Sequence, residues 1–163
     1  MTIDTIITHM NQLKQLHESL LTLSKKKTDA LKANDTEGIQ QLLTQERKHV
    51  QAIGKIEKQR ALTVAQWSQG QGLLTAEPTV SEIIEGLQGE EKTKLQDDYE
   101  GLVLVLADLK QQEKLNADLT QQSLQFINMS LDLLQPSLQS MNYGGQQGSS
   151  DNQSKRSVFD SKA

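Results

Sequence analysis

Three histidines, one adjacent pair of aspartates and one run of three lysines are the residues of this 163-residue chain that could do chemistry. His9, His17 and His49 would need three- or four-residue spacing to put two ligands on one helix face, and no pair has it. His17 reads instead as a packing residue in a helix seam. Asp97 and Asp98 could serve as a paired-carboxylate acid and base, but neighbours on a helix point in different directions, so they read as solvated charge. The Lys25-Lys26-Lys27 run could attract an acidic partner; near a helix end it more simply complements the helix dipole. The chain has no cysteine, hence no thiolate ligand, disulfide or cysteine nucleophile. No glycine-rich phosphate loop, nucleophile elbow or zinc-protease motif is present. These residues predict a protein that is not an enzyme and holds neither metal nor cofactor.

The elements that carry these residues are helices. Hydrophobic residues make up 35% of the chain and aromatic ones 3%, which predicts an aliphatic helical bundle rather than a ring-rich core. A net charge of −4 supplies no general attraction to nucleic acid or to an anionic membrane. The opening Met1-Thr2-Ile3-Asp4 lacks the basic flank and apolar stretch of a signal peptide, and no run is long and apolar enough to span a bilayer. The expected location is the cytoplasm, with no membrane insertion.

Steps of three and four from Ile3 land on Ile6, Met10, Leu13, His17, Leu20, Ser24, Lys27 and Leu31, a coiled-coil-like stripe. The same steps from Ile39 give Leu43, Glu46, Val50, Ile53, Glu57, Arg60, Val64 and Trp67. Asn34 and Asp35 between them carry helix-stop and N-cap chemistry, and Asn34 with Glu37 has capping-box spacing. The two stripes mirror each other about residue 35 and predict an antiparallel hairpin in which Leu31 faces Ile39, Leu20 faces Val50 and Ile3 faces Trp67. Polar seam positions meet apolar ones, Lys27 against Leu43 and Glu57 against Leu13, their charges reaching water.

Gln69-Gly70-Gln71-Gly72 predicts a turn, and Pro78 suits the first turn of a short helix whose apolar face is Val80, Ile83, Ile84 and Leu87. Residues 90–135 then keep helical spacing until Pro136 stops them, a rod of roughly 65–70 Å. Leu95, Tyr99, Leu102, Leu106 and Leu109 are expected against the hairpin, with Val103 and Val105 widening that face. The expected fold is all-α: an elongated antiparallel three-helix, coiled-coil-like bundle with helices at about 2–33, 36–68, 78–86 and 90–135. The third in order is the short extra helix. Residues 1–136 form the helical domain, and residues 137–163, rich in Gly, Gln, Ser and Asn, a disordered, flexible tail.

The end of the long helix has more apolar surface than a three-helix bundle needs. At 100° per residue, Leu124, Ile127, Leu131 and Leu134 line one face, and Phe126, Met129 and Leu133 the opposite one. The second stripe is covered by the short helix, buried by self-association, or offered to a partner helix.

Leu16-His17-Glu18-Ser19-Leu20-Leu21-Thr22-Leu23-Ser24 and Lys27-Thr28-Asp29-Ala30-Leu31-Lys32 resemble the N-terminal helix of the FlgN-type flagellar export chaperones. Leu124-Gln125-Phe126-Ile127 and the closing Phe159-Asp160-Ser161-Lys162-Ala163 are similar as well. The resemblance implies a cytoplasmic chaperone that binds the terminal helices of the hook–filament junction proteins FlgK and FlgL and delivers them to the flagellar type III export gate. It implies a client-binding helix over Leu119 to Leu134, hence Leu119, Leu124, Phe126, Ile127, Met129, Leu131, Leu133 and Leu134, and docking at the gate by Tyr143 and Phe159. A structural coiled-coil adaptor, a permanent homodimer through the second stripe, is the alternative; a WXG-type secreted hairpin fits less well, because Trp67-Ser68-Gln69-Gly70 has one residue too many.

Overall fold

The computed structural model describes residues 2–72 and 77–143, with side chains described as far as residue 135. The described residues form four helices, α1 Ile3–Lys32, α2 Thr36–Gly70, α3 Val80–Gly86 and α4 Gly89–Tyr143. They fall into two compact units, Met1–Ser123 and Leu124–Ala163.

In the first unit the α1–α2 connection is fixed by local chemistry. Asn34 takes a left-handed φ of 52°, a conformation asparagine tolerates better than most residues. The Asn34 N–H then donates to Leu31 O and the Asp35 N–H to Ala30 O at 3.2 and 2.9 Å, satisfying carbonyls that the end of α1 would otherwise leave open. Asp35, rather than Asn34, caps α2: its Oδ1 accepts from Gly38 N at 2.9 Å. The hairpin register follows. Ser19 Oγ lies 2.8 Å from His49 Nε2, Lys27 Nζ 2.8 Å from Glu46 Oε1, and Ile3 and Trp67 share one hydrophobic cluster.

The face α2 presents differs from the expected one near its start. Leu43 and Val50 are exposed, at 46% and 58%, while Leu42, Glu46, His49 and Ile53 are half-buried. Glu46 and Ile53 lie inside as expected, but Leu42, His49 and Ile56 take the places expected for Leu43, Val50 and Glu57, one residue away. The Leu20–Val50 pairing therefore does not bury Val50, and Lys27 packs not as a stem on Leu43 but as the centre of an ion cluster. Glu57 likewise pairs along its own helix, with Arg60.

The short α3 is capped by a reciprocal pair. The Thr79 N–H donates to Glu82 Oε2 at 2.7 Å and the Glu82 N–H to Thr79 Oγ1 at 3.3 Å. Pro78 thus precedes the cap instead of standing in the first turn. Ile83 and Leu87 then join Ile3, Ile6, Met10 and Leu13 of α1, Val64 of α2, and Leu95 and Leu102 of α4 in one apolar core.

α4 lies parallel to α1 in this unit, since contacts advance together along both helices. Near the start, Asp98 Oδ1 accepts from Lys14 Nζ at 2.6 Å and Asn11 Nδ2 at 3.0 Å. Asp98 is buried, not solvated as its sequence setting suggested, because Lys14 lies across α4 to meet it. Gly101 makes room for that stem: a Cβ there would stand 2.9 Å from Lys14 Cδ. The hydrogen bond to Asp98 raises the Lys14 pKa despite partial desolvation.

Further along, the contact turns polar. Ser24 Oγ donates to Glu113 Oε1 at 2.6 Å, and Asn116 Nδ2 donates to the Ser24 carbonyl at 2.9 Å. Thr28 joins Asn116 and Gln112 by further hydrogen bonds. Lys27 Nζ reaches Glu46 of α2 at 2.8 Å and Glu113 of α4 at 3.1 Å, tying three helices together. Burial pulls the Lys27 pKa down, but the hydrogen bonds to Glu46 and Glu113 outweigh it and the net shift is upward. The inward α4 positions in this unit are accordingly Leu95, Asp98, Leu102, Val105, Leu109, Gln112 and Asn116; Val103 and Leu106, expected inside, are exposed.

In the second unit, α4 continues through Pro136 to Tyr143, so the expected stop at residue 135 is corrected. Proline removes one amide hydrogen bond and crowds the carbonyl four residues earlier, which weakens a helix without always ending it. The residues that follow, Ser137-Leu138-Gln139-Ser140-Met141-Asn142-Tyr143, contain no glycine or second proline. Most of the expected flexible tail, from residue 144 on, lies outside the described residues.

Candidate functional site

Helical periodicity alone generates the candidate site. The inward positions of α4 in the first unit recur at three- and four-residue steps and end on half-buried Leu119 and Ser123; the Ser123 hydroxyl donates to Leu119 O at 3.0 Å. Leu119, the first of the expected client-binding residues, is thus partly committed to packing. Leu124, Phe126, Ile127, Met129, Leu131, Leu133 and Leu134 are all exposed, Phe126 at 71% and Leu133 at 76%. Seven large apolar side chains within eleven residues leave both stripes open. Ile83 and Leu87 of α3 belong to the core of the first unit.

One charged residue, Asp132, falls between Leu119 and Gln135. With Gln125 and Asn128 it forms a polar strip along one side of the helix, and Ser130 separates the two stripes on the other. The surface can bury against apolar surface of matching shape. Seven exposed large apolar side chains within eleven residues are a concentration of the kind that marks an interaction site. The methionine and phenylalanine add adaptable contact.

Two aromatic residues are expected at a docking site. Tyr143 is the last residue of α4, and Phe159 lies outside the described residues. The polar cluster around Lys27, Glu113 and Asn116 was not anticipated, although a signal for it exists: extending the steps from Leu95 puts Gln112 and Asn116 inward. The histidines do not converge. His49 Nε2 meets Ser19 Oγ, His17 Nδ1 lies 2.7 Å from the Leu13 carbonyl, and among the described residues no group of three His, Asp or Glu forms a metal site. No described helix is long and apolar enough to cross a membrane.

Comparisons with known proteins bear on this surface. A family model described as FlgN protein matches residues 1–151. A Bacillus subtilis (strain 168) protein described as uncharacterized protein YvyG is 38% identical over 164 residues, covering 100% of both chains. No solved structure matches the chain.

Proposed function

We propose a function from one premise: the chain belongs to the FlgN family, the family of flagellar export chaperones. Its clients are the hook–filament junction proteins FlgK and FlgL, and it holds their terminal helices against Leu124–Leu134 in the cytoplasm until delivery to the type III export gate. The observation that carries this reading is the exposure of all seven apolar side chains in that segment. An export client presents amphipathic helices whose apolar faces aggregate until assembled, and an exposed apolar helix is the chemical complement of such a face. The first unit has its own apolar core, and the exposed apolar residues there, Leu62 and Leu104 among them, are spread over residues 43–115 rather than gathered within eleven positions. Tyr143 and Phe159, isolated aromatics near and beyond the end of α4, act in docking at the gate, where a single ring can anchor a short segment.

Calorimetric titration with purified FlgK and FlgL tests the assignment. Each Leu- or Phe-sized anchor is worth about 1.5–3 kcal/mol, so Phe126→Asp/Met129→Asp is expected to cost roughly two to four powers of ten in affinity with helicity retained. Unchanged binding by that variant and by Leu124→Asp/Leu131→Asp, both folded, would remove this helix as the site. A concentration-independent dimer in light scattering, dissociated by the same substitutions, would instead support the homodimeric adaptor.

A further inference from the structure

We infer that Leu124–Leu134 takes two helices of one client at once, one on each stripe, so that this segment is held between two client helices rather than against a single one. The inference rests on the client-binding reading above and specifies what that site accepts. At 100° per residue, the mean direction of the Phe126, Met129 and Leu133 stripe lies roughly 150° from that of Leu124, Ile127 and Leu131. Helices pack side by side at about 8–10 Å between axes and touch along one face. A helix seated on one stripe therefore leaves the other in water.

Area leads to the same conclusion. A buried Leu-sized anchor contributes roughly 60–120 Å² of apolar surface. One three-residue stripe then supplies roughly 200–350 Å², well below the ~800 Å² per partner of a standard interface, whereas all seven side chains supply roughly 400–850 Å². A second copy of this chain does not solve the problem. In a two-fold dimer both copies present the same stripe, and the opposite stripe stays bare on each. A two-helix client covers both, its helices on opposite sides of the segment and too far apart to pack against each other.

The test uses the full chain with purified FlgK, a two-helix FlgK terminal fragment and a peptide of one terminal helix. Each double variant, Phe126→Asp/Met129→Asp and Leu124→Asp/Leu131→Asp, is expected to weaken FlgK at least about 100-fold, and the one-helix peptide to bind at least about 100-fold more weakly than the fragment. Loss of binding in one variant only, with the peptide as tight as the fragment, overturns the two-helix inference and leaves the client site standing. No loss in either variant overturns both. The chain has no cysteine, so Ile127→Cys and Met129→Cys can each carry a photo-crosslinker as a second measurement that does not need the Asp variants to fold. Crosslinks from the two positions to different client helices are expected; crosslinks from both to one helix contradict the inference.

Discussion

Two stretches of α4 treat their apolar residues differently. Between Leu95 and Asn116 one face is packed, with Leu95 at 0% and Asn116 at 3% exposure and its buried polar groups hydrogen-bonded, while Val103, Leu104, Leu106 and Leu115 off that face are exposed. Between Leu124 and Leu134 every large apolar side chain is open. The first stretch can afford Asp98, Gln112 and Asn116 inside because α1 supplies Lys14, Ser24 and Thr28 as partners. The second is more apolar, yet its large apolar side chains are exposed. Hydrophobic content therefore does not say which stretch is core.

The largest effect expected from breaking this contrast is in stability. Leu95→Ala should cost about 2–5 kcal/mol in urea unfolding, because it opens a cavity in a closed core, whereas Leu133→Ala should stay within about 0.5 kcal/mol. Comparable losses from the two substitutions would erase the distinction.

Next come the polar partners. Lys27→Ala leaves Glu46 and Glu113 facing each other without their cation and should cost about 1–3 kcal/mol, reduced from the figure for a fully buried pair because Glu113 is partly exposed. The pH dependence has a definite sign. The folded Lys27 pKa lies above its ordinary 10.5, so its contribution is complete below that pH and is lost as pH rises through the folded value. A wild-type protein that loses stability above pH 10.5 no faster than Lys27→Met would argue against the cluster. Glu57 behaves oppositely. The Arg60 hydrogen bond lowers its pKa, so that smaller contribution disappears on acidification below about pH 4.5.

Thr79→Ala removes one half of the α3 capping box and should cost about 1 kcal/mol, with the loss seen first as faster amide exchange in α3. The smallest effect concerns the end of the chain. Deleting residues 144–163 should leave the melting temperature nearly unchanged while weakening recruitment of the chaperone–client complex to the export gate. A substantially lower melting temperature, or full recruitment, would contradict the docking role proposed for Phe159.

Much of this architecture was legible in the sequence because local signals agreed with one another. The stop at Asn34, the cap at Asp35 and two mirrored stripes all specify the same hairpin, and the double stripe after Leu124 was visible from periodicity alone. What was not legible depended on a partner from another helix. Asp98 looks solvated until Lys14 and Asn11 reach it, and Lys27 looks like surface charge until Glu46 and Glu113 flank it. The phase of α2 near Leu43 and Val50 depends on another helix too: stepping through apolar residues favours those two, whereas the half-buried positions are Leu42 and His49, the latter meeting Ser19 of α1. The Thr79-x-x-Glu82 box, by contrast, was readable from spacing and was overlooked in favour of Pro78. Pro136 overstated its local effect, since one missing hydrogen bond does not end a helix whose next seven residues contain no further breaker.

Amide hydrogen exchange on the full chain, with and without FlgK, tests most directly whether the open stretch of α4 is the client site. Exchange over Leu124–Leu134 should be fast in the free protein and slow strongly on FlgK addition, with little change between Leu95 and Asn116. Protection that appears elsewhere, with Leu124–Leu134 still exchanging at its free rate in saturated complex, would contradict the account.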